Sequence, residues 1–332
     1  MTGMKHLAQK IRAADHLLLS THKDPDGDGI GSMLALARAL RASGKRVDLI
    51  LPDPCPERFR FLDPDRLLEW LPYDAAGFGG TRPDLAVIVD THQWALLGHI
   101  GELLKLERIP TLFFDHHPLR DGRRSDVISD PNASSNGELV YRLLTNYLDL
   151  PIDQRIGECL YASIAFDTHS FRYIRNSPTP HLVAADLLSR GVDANEIYRH
   201  LFASNPVGKL RLMGRLMGAV KIDDGGRLAW VGLPLAWIRE HGVCEDDMRD
   251  AVNCLLEIEG IEVAALLKEV GDREVKVSLR SKGRFEIHEV AQQFGGGGHP
   301  YAAGATICET LADSCGRVLE RLESIMREDR PA

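Results

Sequence analysis

A short stretch near the amino end of the chain combines one imidazole with three carboxylates. Within seven residues it carries His22, Asp24, Asp26 and Asp28. Because repulsion makes such crowding of acids costly unless a cation neutralises it, the pattern indicates a metal site. The intervening glycines and proline give the loop the sharp path that is needed to point several side chains at one spot.

Three further segments place an acid or a histidine after an apolar run. Residues 85–89 are followed by Asp90, residues 111–114 by Asp115-His116-His117, and residues 164–166 by Asp167. The first two of these runs, like Leu17-Leu18-Leu19 before the His22 loop, are short and rich in β-branched or aromatic residues, which is typical of buried parallel strands, and Asp167 is a fourth acid. In open α/β sheets the chemistry lies at the carboxyl ends of the strands, so we expect one site shared with the His22 loop.

The donor types indicate which metal this site would hold. A mixture of Asp and His suits Mn²⁺, with Co²⁺, Fe²⁺ or Zn²⁺ as alternatives and Mg²⁺ less suited because it prefers oxygen ligands. The candidate side chains are too many for one ion, so we expect two ions about 3.5–4 Å apart that share a bridging carboxylate. The competing interpretation is that each acid caps a helix or turn, which explains one Asp but not several with the same chemistry.

The elements that must position these residues alternate between strands and helices through about residue 170. Predicted strands are 17–20, 47–51, 85–89 and 111–114, and predicted helices are 4–14, 31–42, 134–148, 151–166 and 180–188. This alternation predicts an α/β domain with a parallel sheet, in which the helix 151–166 would deliver Asp167. Residues 195–220 are predicted to be a helical connector with a break at Asn205-Pro206.

The pattern changes after Gly225. Strand-like runs at 228–233, 263–267 and 275–279 are followed by a short helix at 287–294, which leads into the run from Gly295 to His299. These features predict a smaller mixed α/β domain. We therefore expect a catalytic domain at 1–190, a helical connector at 191–225 and a substrate-binding domain at 226–332.

Composition and charge narrow the class of protein. A chain of 332 residues with 44% hydrophobic content fits two globular domains. The net charge of −8 argues against a basic track for duplex DNA, although bound divalent ions would let short nucleotides enter an acidic cleft.

No signal sequence or long apolar run is apparent, which predicts a soluble cytoplasmic protein without a membrane partner. The six cysteines are widely spaced, which favours reduced and mostly buried thiols, and His6 and His16 are predicted to lie on the surface.

Four motifs of the chain resemble those of the DHH phosphoesterase superfamily. They are His22-Lys23-Asp24-Pro25-Asp26-Gly27-Asp28, Val89-Asp90-Thr91, Asp115-His116-His117 and Asp167-Thr168. The run from Gly295 to His299, followed by Ala302-Ala303-Gly304, resembles the signature of the DHH-associated nucleotide-binding domain. The chain length and the two-domain layout are most similar to the branch that contains stand-alone nanoRNases and pAp phosphatases.

This resemblance implies a role for each metal-site residue. One Mn²⁺ would be bound by His22, Asp26, Asp90 and Asp167, and the second by Asp28, Asp90 and His116, with Asp90 as the bridge. His117 would face the scissile phosphate, and Asp115 would orient a histidine from outside the coordination sphere. The catalytic residues that the resemblance implies are therefore His117, Asp90 and His116.

In the second domain the resemblance implies contacts to the 3′ side of a short nucleic acid. The residues expected there are Arg280, Ser281, Gly296, Gly297, Gly298 and His299. Arg280 can hold a phosphate with two hydrogen bonds, and a glycine run lets backbone N–H groups approach an anion. The competing interpretations are a flexible loop for the glycines and a solvated charge at a strand end for Arg280.

Two positions beside the metal motifs differ from the family pattern. His92 follows Asp90-Thr91 where relatives usually carry small or acidic residues, and His169 follows Asp167-Thr168 where a glycine is usual. Each supplies either an extra phosphate contact or only a change in local packing, and packing is slightly favoured.

The activity that the resemblance implies is Mn²⁺-dependent hydrolysis of short oligoribonucleotides or dinucleotides to 5′-mononucleotides, extending to the conversion of pAp to AMP. The alternatives are a phosphodiesterase for a linear signalling dinucleotide, pApA or pGpG, and a nucleotide-binding regulator without turnover. A manganese pyrophosphatase would lack the second-domain signature, and a processive single-strand exonuclease would need a longer basic groove. Short RNA, dinucleotides or pAp are thus the expected partners, and homodimer formation is left open.

Overall fold

The computed structural model of the chain describes residues 2–72, 77–78, 81–119, 124–243, 248 and 251–327. The chain divides into a first unit, Met1–Ser204, and a second unit, Asn205–Ala332. The boundary between the units falls inside the segment 191–225 that the sequence predicts as a connector.

The first unit is built on a parallel sheet. Its strands are β1 (His16–Ser20), β2 (Arg46–Leu51), β3 (Leu68–Trp70), β4 (Leu85–Val89), β5 (Thr111–Asp115) and β6 (Val127–Ser129). They lie in the order β3-β2-β1-β4-β5-β6, and neighbouring strands are parallel throughout. The predicted parallel sheet is confirmed, and β1, β4 and β5, which precede the predicted donors, are adjacent.

Apolar side chains cover both faces of this sheet. Alternate residues of a strand point to opposite faces, so Val87 belongs to one core while Ala86 and Ile88 belong to the other. All of β4 is buried, which is why it has a continuous apolar sequence. The helices of this unit are α1 (Thr2–Ala13), α2 (Gly27–Ala42), α3 (Gly98–Leu106), α4 (Asn136–Leu143), α5 (Gln154–Asp167), α6 (Thr179–Ser189) and α7 (Ala194–Phe202), with 3₁₀ turns at Glu57–Leu62 and Trp94–Leu97 and a π turn at Leu144–Leu148.

Helix α2 begins earlier than its sequence predicts. It begins at Gly27 because Asp26 is its N-cap, accepting hydrogen bonds from the N–H groups of Asp28 (3.1 Å) and Gly29 (3.3 Å). Gly27 lies against the Phe166 ring, since a Cβ built on it would be 2.6 Å from Phe166 Cγ. The metal-binding pattern therefore runs into the first turn of the helix.

The second unit is a mixed α/β domain, as predicted. The strands are β7 (Lys221–Asp223), β8 (Leu228–Leu233), β9 (Val263–Gly271), β10 (Glu274–Ser281), β11 (Gly297–His299) and β12 (Ala302–Ile307). They lie in the order β11-β12-β10-β9-β8-β7, and of the described pairs in this second sheet only β8 and β9 are parallel. The helices are α8 (Val207–Gly218), α9 (Leu235–Glu240), α10 (Ala251–Leu256), α11 (His288–Gln293) and α12 (Leu311–Arg327), with a 3₁₀ turn at Asp224–Gly226.

The glycine run contributes an edge strand to this second sheet. Residues Gly297–His299 form β11 and pair antiparallel with β12. A Cβ would lie 2.1 Å from Gly304 O if built on Gly296, and 2.4 Å from Ala302 O if built on Gly298, where φ is +139°. Glycine is thus required for the close approach of the two backbones. The flexible-loop interpretation is therefore wrong for these residues.

His16 is buried, so the prediction that it lies on the surface is wrong. Its Nε2 is 2.6 Å from Asp48 Oδ2 on the neighbouring strand β2. Pairing with a carboxylate is what allows this polar ring to be buried, and the alternation of residues in β2 did not reveal the pair. His6 is exposed, as predicted.

The thiols are less uniformly buried than the sequence predicts. Of the five described thiols, Cys159 and Cys315 are buried, Cys55 and Cys254 are half-buried, and Cys308 is exposed. Cys244 lies outside the described residues. Among the helices that the structure describes, none has the length and apolar composition needed to cross a bilayer.

Candidate metal centre

The ends of β1, β4 and β5 bring the predicted donors to one edge of the first sheet. His22 lies just beyond β1, Asp90 directly follows β4, and Asp115 ends β5 and is followed by two histidines. Asp90 has φ +62°, a left-handed conformation that Asp tolerates, and its N–H donates to Phe114 O (3.0 Å) on the adjacent strand. The strand end is thereby fixed next to β5.

His116 lies among three carboxylates. Its Nε2 is 3.6 Å from Asp28 Oδ2, 3.4 Å from Asp90 Oδ1 and 3.6 Å from Asp167 Oδ2. Its Nδ1 is 3.4 Å from Ala133 O, so a proton on Nδ1 points to that carbonyl and Nε2 is left to face the acids. This is the ring orientation that a metal ligand requires.

His116 lies near Oδ1 of Asp90, and His22 lies near Oδ2 of the same carboxylate, in a second group of donor atoms. The Nε2 of His22 is 3.4 Å from Asp90 Oδ2 and 3.8 Å from Asp26 Oδ1, and its Nδ1 donates to Lys23 O (2.7 Å). Burial alone would lower the pKa of His22, but the carboxylates of Asp26 and Asp90 outweigh it and raise that pKa well above its usual value. Asp90 therefore has one donor group on each carboxylate oxygen.

Asp28 is held in place by groups outside its own motif. Its Oδ2 accepts the N–H of Asn136 (2.7 Å) and its Oδ1 accepts the N–H of Gly137 (3.0 Å), both in the first turn of α4. The Ser163 hydroxyl also donates to Oδ1. The amino end of a helix favours a carboxylate, so α4 supports the acid. Sequence reasoning missed these partners, and the available signal was only the N-cap Ser135 that starts α4.

Burial and mutual repulsion disfavour the charged forms of two acids at this site. Burial raises the pKa of Asp28, and the charges of Asp90 and Asp167 raise it further. Burial also raises the pKa of Asp167. For His116 burial opposes the charged form, but Asp167, Asp90 and Asp28 outweigh it and raise its pKa to about 10. The site therefore attracts positive charge, either as protons or as metal ions.

The donor set fits divalent metal ions. Donor atoms lie within 4.8 Å of one another in each of three groups: His22, Asp26 and Asp90; Asp28, His116 and Asp167; and Asp90, Asp115, His116 and His117. Asp90 Oδ1 is buried and accepts no hydrogen bond from the described residues. A buried anionic oxygen without a donor is unfavourable, and a cation would satisfy it.

Asp167 differs from what the resemblance implies. The resemblance puts it with His22 and Asp26, whereas the structure groups it with Asp28 and His116. Asp167 ends α5, and its Oδ2 is 3.6 Å from His116 Nε2. The charge of Asp26 also contributes to the raised pKa of Asp167, so which ion Asp167 would bind stays a prediction.

The carboxylate of Asp115 is within hydrogen-bonding distance of two histidines, one on each oxygen. Its Oδ1 is 2.7 Å from His117 Nδ1 and its Oδ2 is 2.5 Å from His92 Nδ1. Burial alone would raise the pKa of Asp115, but His117, His92 and His116 hold it well below its usual value. Because the carboxylate is ionised, both imidazoles donate their Nδ1–H to it.

Two residues that the sequence singles out do not join these groups. Asp24 is exposed, and its N–H donates to Asp53 Oδ2 (2.8 Å). The His169 ring lies 5.8 Å from the Tyr173 ring, and its backbone is left-handed, with φ +49°. Among the described residues neither takes part in a donor group.

The residues predicted to bind nucleotide lie together in the second unit. Arg280 pairs with Ala302 from one side, and His299 pairs with Ala302 from the other. Ser281 ends β10, and its N–H donates to Tyr301 O (2.9 Å). Pairing in the sheet thus brings together residues that are far apart in the sequence.

Two domain families match the chain. The DHH family N-terminal domain matches residues 16–164, and the DHHA1 domain matches residues 231–328. The chain is 30% identical to the bifunctional oligoribonuclease and PAP phosphatase NrnA of Thermus thermophilus, over 98% of this chain and 94% of that protein. It is 25% identical to the cyclic-di-AMP phosphodiesterase GdpP of Geobacillus thermodenitrificans, over 98% of this chain but 50% of that protein.

A solved structure also resembles the chain over nearly its whole length. An exopolyphosphatase-related protein from Bacteroides fragilis has a TM-score of 0.87 and 26% identity, covering 97% of this chain and 96% of that one. The first domain match contains the motifs at His22–Asp28, Asp90 and Asp115–His117, and the second contains the glycine run. Together with the NrnA relative, these matches show that the chain belongs to the DHH family and carries a DHHA1 domain in its second unit.

Proposed function

We propose that the chain is a metal-dependent hydrolase that cleaves very short RNA and dinucleotides to 5′-mononucleotides and also converts pAp to AMP. The observation that carries this proposal is the position of Asp90. Its Oδ1 is 3.4 Å from His116 Nε2, and its Oδ2 is 3.4 Å from His22 Nε2. A carboxylate with a separate donor group on each oxygen suits a pair of ions about 3.5–4 Å apart, the arrangement of many phosphoester hydrolases.

The proposed ligands divide between two ions. One ion would be held by His22, Asp26 and Asp90, and the other by Asp28, His116 and Asp167 together with Asp90, whose Oδ1 is 3.4 Å from His116 Nε2. Mixed imidazole and carboxylate ligands favour Mn²⁺, with Co²⁺ or Mg²⁺ as alternatives. When bound, such ions acidify water and neutralise negative charge on a phosphate.

His117 is the proposed contact to the reacting phosphate. Its side chain is 39% exposed, whereas His116 is buried. Its Nδ1–H donates to Asp115, and Nε2 is the ring atom that we propose meets a phosphoryl oxygen. In the protonated ring, this Nε2–H would stabilise negative charge on that phosphoryl oxygen. It is also one of two candidate proton donors to the leaving oxygen, the other being a water molecule.

Nucleotide binding is assigned to the DHHA1 domain. The proposed contacts are Arg280, Ser281, Gly296, Gly297, Gly298 and His299. Arg280 and His299 both pair with Ala302 in the sheet, so the arginine and the glycine strand β11 lie at the same register position. This supports the choice, because a guanidinium can hold a phosphate with two hydrogen bonds.

The choice of substrate is supported by the Thermus thermophilus relative, which is named an oligoribonuclease and PAP phosphatase and matches this chain almost from end to end. The GdpP relative supports a second candidate, a phosphodiesterase restricted to a linear signalling dinucleotide such as pApA or pGpG. That relative is about twice as long as the part that this chain matches, so it supports the candidate less strongly.

The test is a comparison of kcat/KM in the presence of Mn²⁺. The substrates are RNA from dinucleotide to heptanucleotide, pApA, pGpG, pAp and pyrophosphate, each with a chelator control. The proposal expects turnover of the shortest RNAs and of pAp. Activity confined to pApA or pGpG would favour the second candidate, and tight binding without turnover in excess Mn²⁺ would indicate a regulator instead.

A further inference from the structure

We propose that His92 is a positioning residue for His117 and acts through the carboxylate of Asp115. This inference rests on the proposed function, because it takes His117 to be the residue that meets the phosphate. His92 lies outside the four metal motifs.

The two oxygens of Asp115 serve two different histidines. Oδ1 accepts the Nδ1–H of His117 (2.7 Å) and also the N–H of His116 (2.7 Å), while Oδ2 accepts the Nδ1–H of His92 (2.5 Å). Asp115 has no exposed surface, and His92 is 9% exposed. His92 is therefore a buried donor on the carboxylate oxygen that faces away from His117.

A donor on Oδ2 fixes the plane of the carboxylate. Oδ1 is also held by the backbone N–H groups of His116 (2.7 Å) and His117 (3.1 Å), so loss of the Oδ2 donor removes the contact that holds the other end of the carboxylate and lets its plane tilt about Oδ1. Because the His117 ring is oriented by that oxygen, its Nε2 would then lose its fixed direction. Hydrogen-bonding partners of this kind control the geometry of a reactive imidazole although they never touch the substrate.

His92 is itself held firmly. Its carbonyl accepts a hydrogen bond from Arg124 Nη1 (2.8 Å), and the Arg124 guanidinium lies over the Phe113 ring, 5.3 Å from the ring centroid. Two residues earlier, the Asp90 N–H donates to Phe114 O (3.0 Å), the residue that precedes Asp115 in β5. Because these contacts hold the backbone of His92, its ring can hold the Asp115 carboxylate in one orientation.

Direct phosphate binding is the competing role for His92. Its Nδ1 is already engaged by Asp115, and its side chain is only 11% exposed, compared with 39% for His117. The contacts thus favour positioning over a substrate contact.

The experiment compares His92→Leu with His92→Asn. Asparagine keeps an N–H donor near the place of Nδ1, whereas leucine removes it. His16→Leu is the control, because it deletes another His–Asp hydrogen bond, 2.6 Å long, between a buried histidine on strand β1 of the same sheet and the half-buried Asp48. All variants are measured with Mn²⁺ and the best substrate of the wild-type chain, and the ring resonances of ¹⁵N-labelled His117 are recorded without paramagnetic metal.

We expect His92→Leu to lower kcat by about tenfold or more with little change in KM, and His92→Asn to restore most of it. The His117 Nδ1–H resonance should shift in the leucine variant and stay near its wild-type position in the asparagine variant and in His16→Leu. A rise in KM at unchanged kcat would overturn the proposal in favour of substrate contact. The proposal would also be overturned if His92→Leu and His16→Leu lost the same fraction of kcat and the His117 resonance did not move. That result would show that His92 contributes only to packing.

The two proposals fail separately. If the wild-type chain turns over none of the substrates, the proposed function is wrong. The His117 resonance then still decides whether His92 orients that ring through Asp115.

Discussion

Nε2 of His22 lies 3.4 Å from Oδ2 of Asp90. The two residues follow β1 and β4, which are adjacent parallel strands, so their side chains meet at the same edge of the sheet. The other oxygen of Asp90 is close to His116, which makes Asp90 the common member of both donor groups. The strongest test of the site therefore starts with this residue.

Replacing Asp90 with Asn should lower kcat with Mn²⁺ at least about 100-fold, because an amide carries no charge and can offer only one oxygen to two ions. Isothermal titration calorimetry should show weaker binding of both ions together. The control is Asp24→Asn, which changes an exposed acid in the same part of the chain that belongs to no donor group among the described residues. A near-normal rate in Asp90→Asn would show that this residue is not shared between ions.

Binding of Mn²⁺ should release protons, and its affinity should increase with pH. The neighbouring acids raise the pKa of His116 to about 10 against the opposing effect of burial, so near neutral pH the metal-free ring is protonated. A metal ligand must be neutral at the coordinating nitrogen, so the proton leaves when the ion binds. Calorimetry in two buffers of different ionisation enthalpy measures the release, and identical heats in both would contradict the prediction.

Ser163→Ala should weaken Mn²⁺ binding by about tenfold. The variant removes a hydroxyl that donates to buried Asp28 Oδ1, and it should also lower the free energy of unfolding by about 1–3 kcal/mol. The matched control is Ser32→Ala, since the Ser32 hydroxyl is equally buried but lies 3.4 Å from the same oxygen. Equal effects of the two variants on metal titration and thermal unfolding would count against a specific role for Ser163.

Gly31→Ala should destabilise the chain by about 1–3 kcal/mol, because overpacking forces rigid elements apart. The added Cβ would be 2.5 Å from Cys159 O, a backbone atom of α5 that cannot move aside easily. Gly214→Ala in α8 is the control: a Cβ there meets nothing within 4 Å. That change should stabilise by up to about 1 kcal/mol, because alanine favours a helix over glycine. Denaturant unfolding compares the two, and a stable Gly31→Ala variant would show that the helices α2 and α5 can separate.

The sheet and most of the candidate donors were predictable from the sequence. A fully buried parallel strand such as β4 has to be apolar on both faces, so its run stops visibly where Asp90 begins. Asp and His follow such strands, so their positions mark the edge of the sheet where the candidate site lies. Their carboxylate and imidazole groups indicate which metal ions the site would bind. These are local properties, and a local pattern is sufficient to reveal them.

The neighbouring acids Asp24, Asp26 and Asp28 show where local pattern becomes insufficient. Their residue type and spacing are the same, yet Asp24 is exposed, Asp26 caps α2 and Asp28 is buried. The difference arises because α2 begins at Gly27, which turns the later acids inward. A start signal at Asp26 was present in the sequence, but other acids in the loop offered the same signal.

By itself, the sequence determined the α/β sheet, the two-domain layout, the family and the residue types of the candidate metal donors, because strand burial and side-chain chemistry follow from short runs of residues. Only the tertiary structure decided which groups support these donors: Asn136 and Gly137 on Asp28, and His92 on Asp115. It also decided that Asp167 joins His116. Such pairs are far apart along the chain, and they meet only through the packing of helices and strands, which spacing within a motif does not specify.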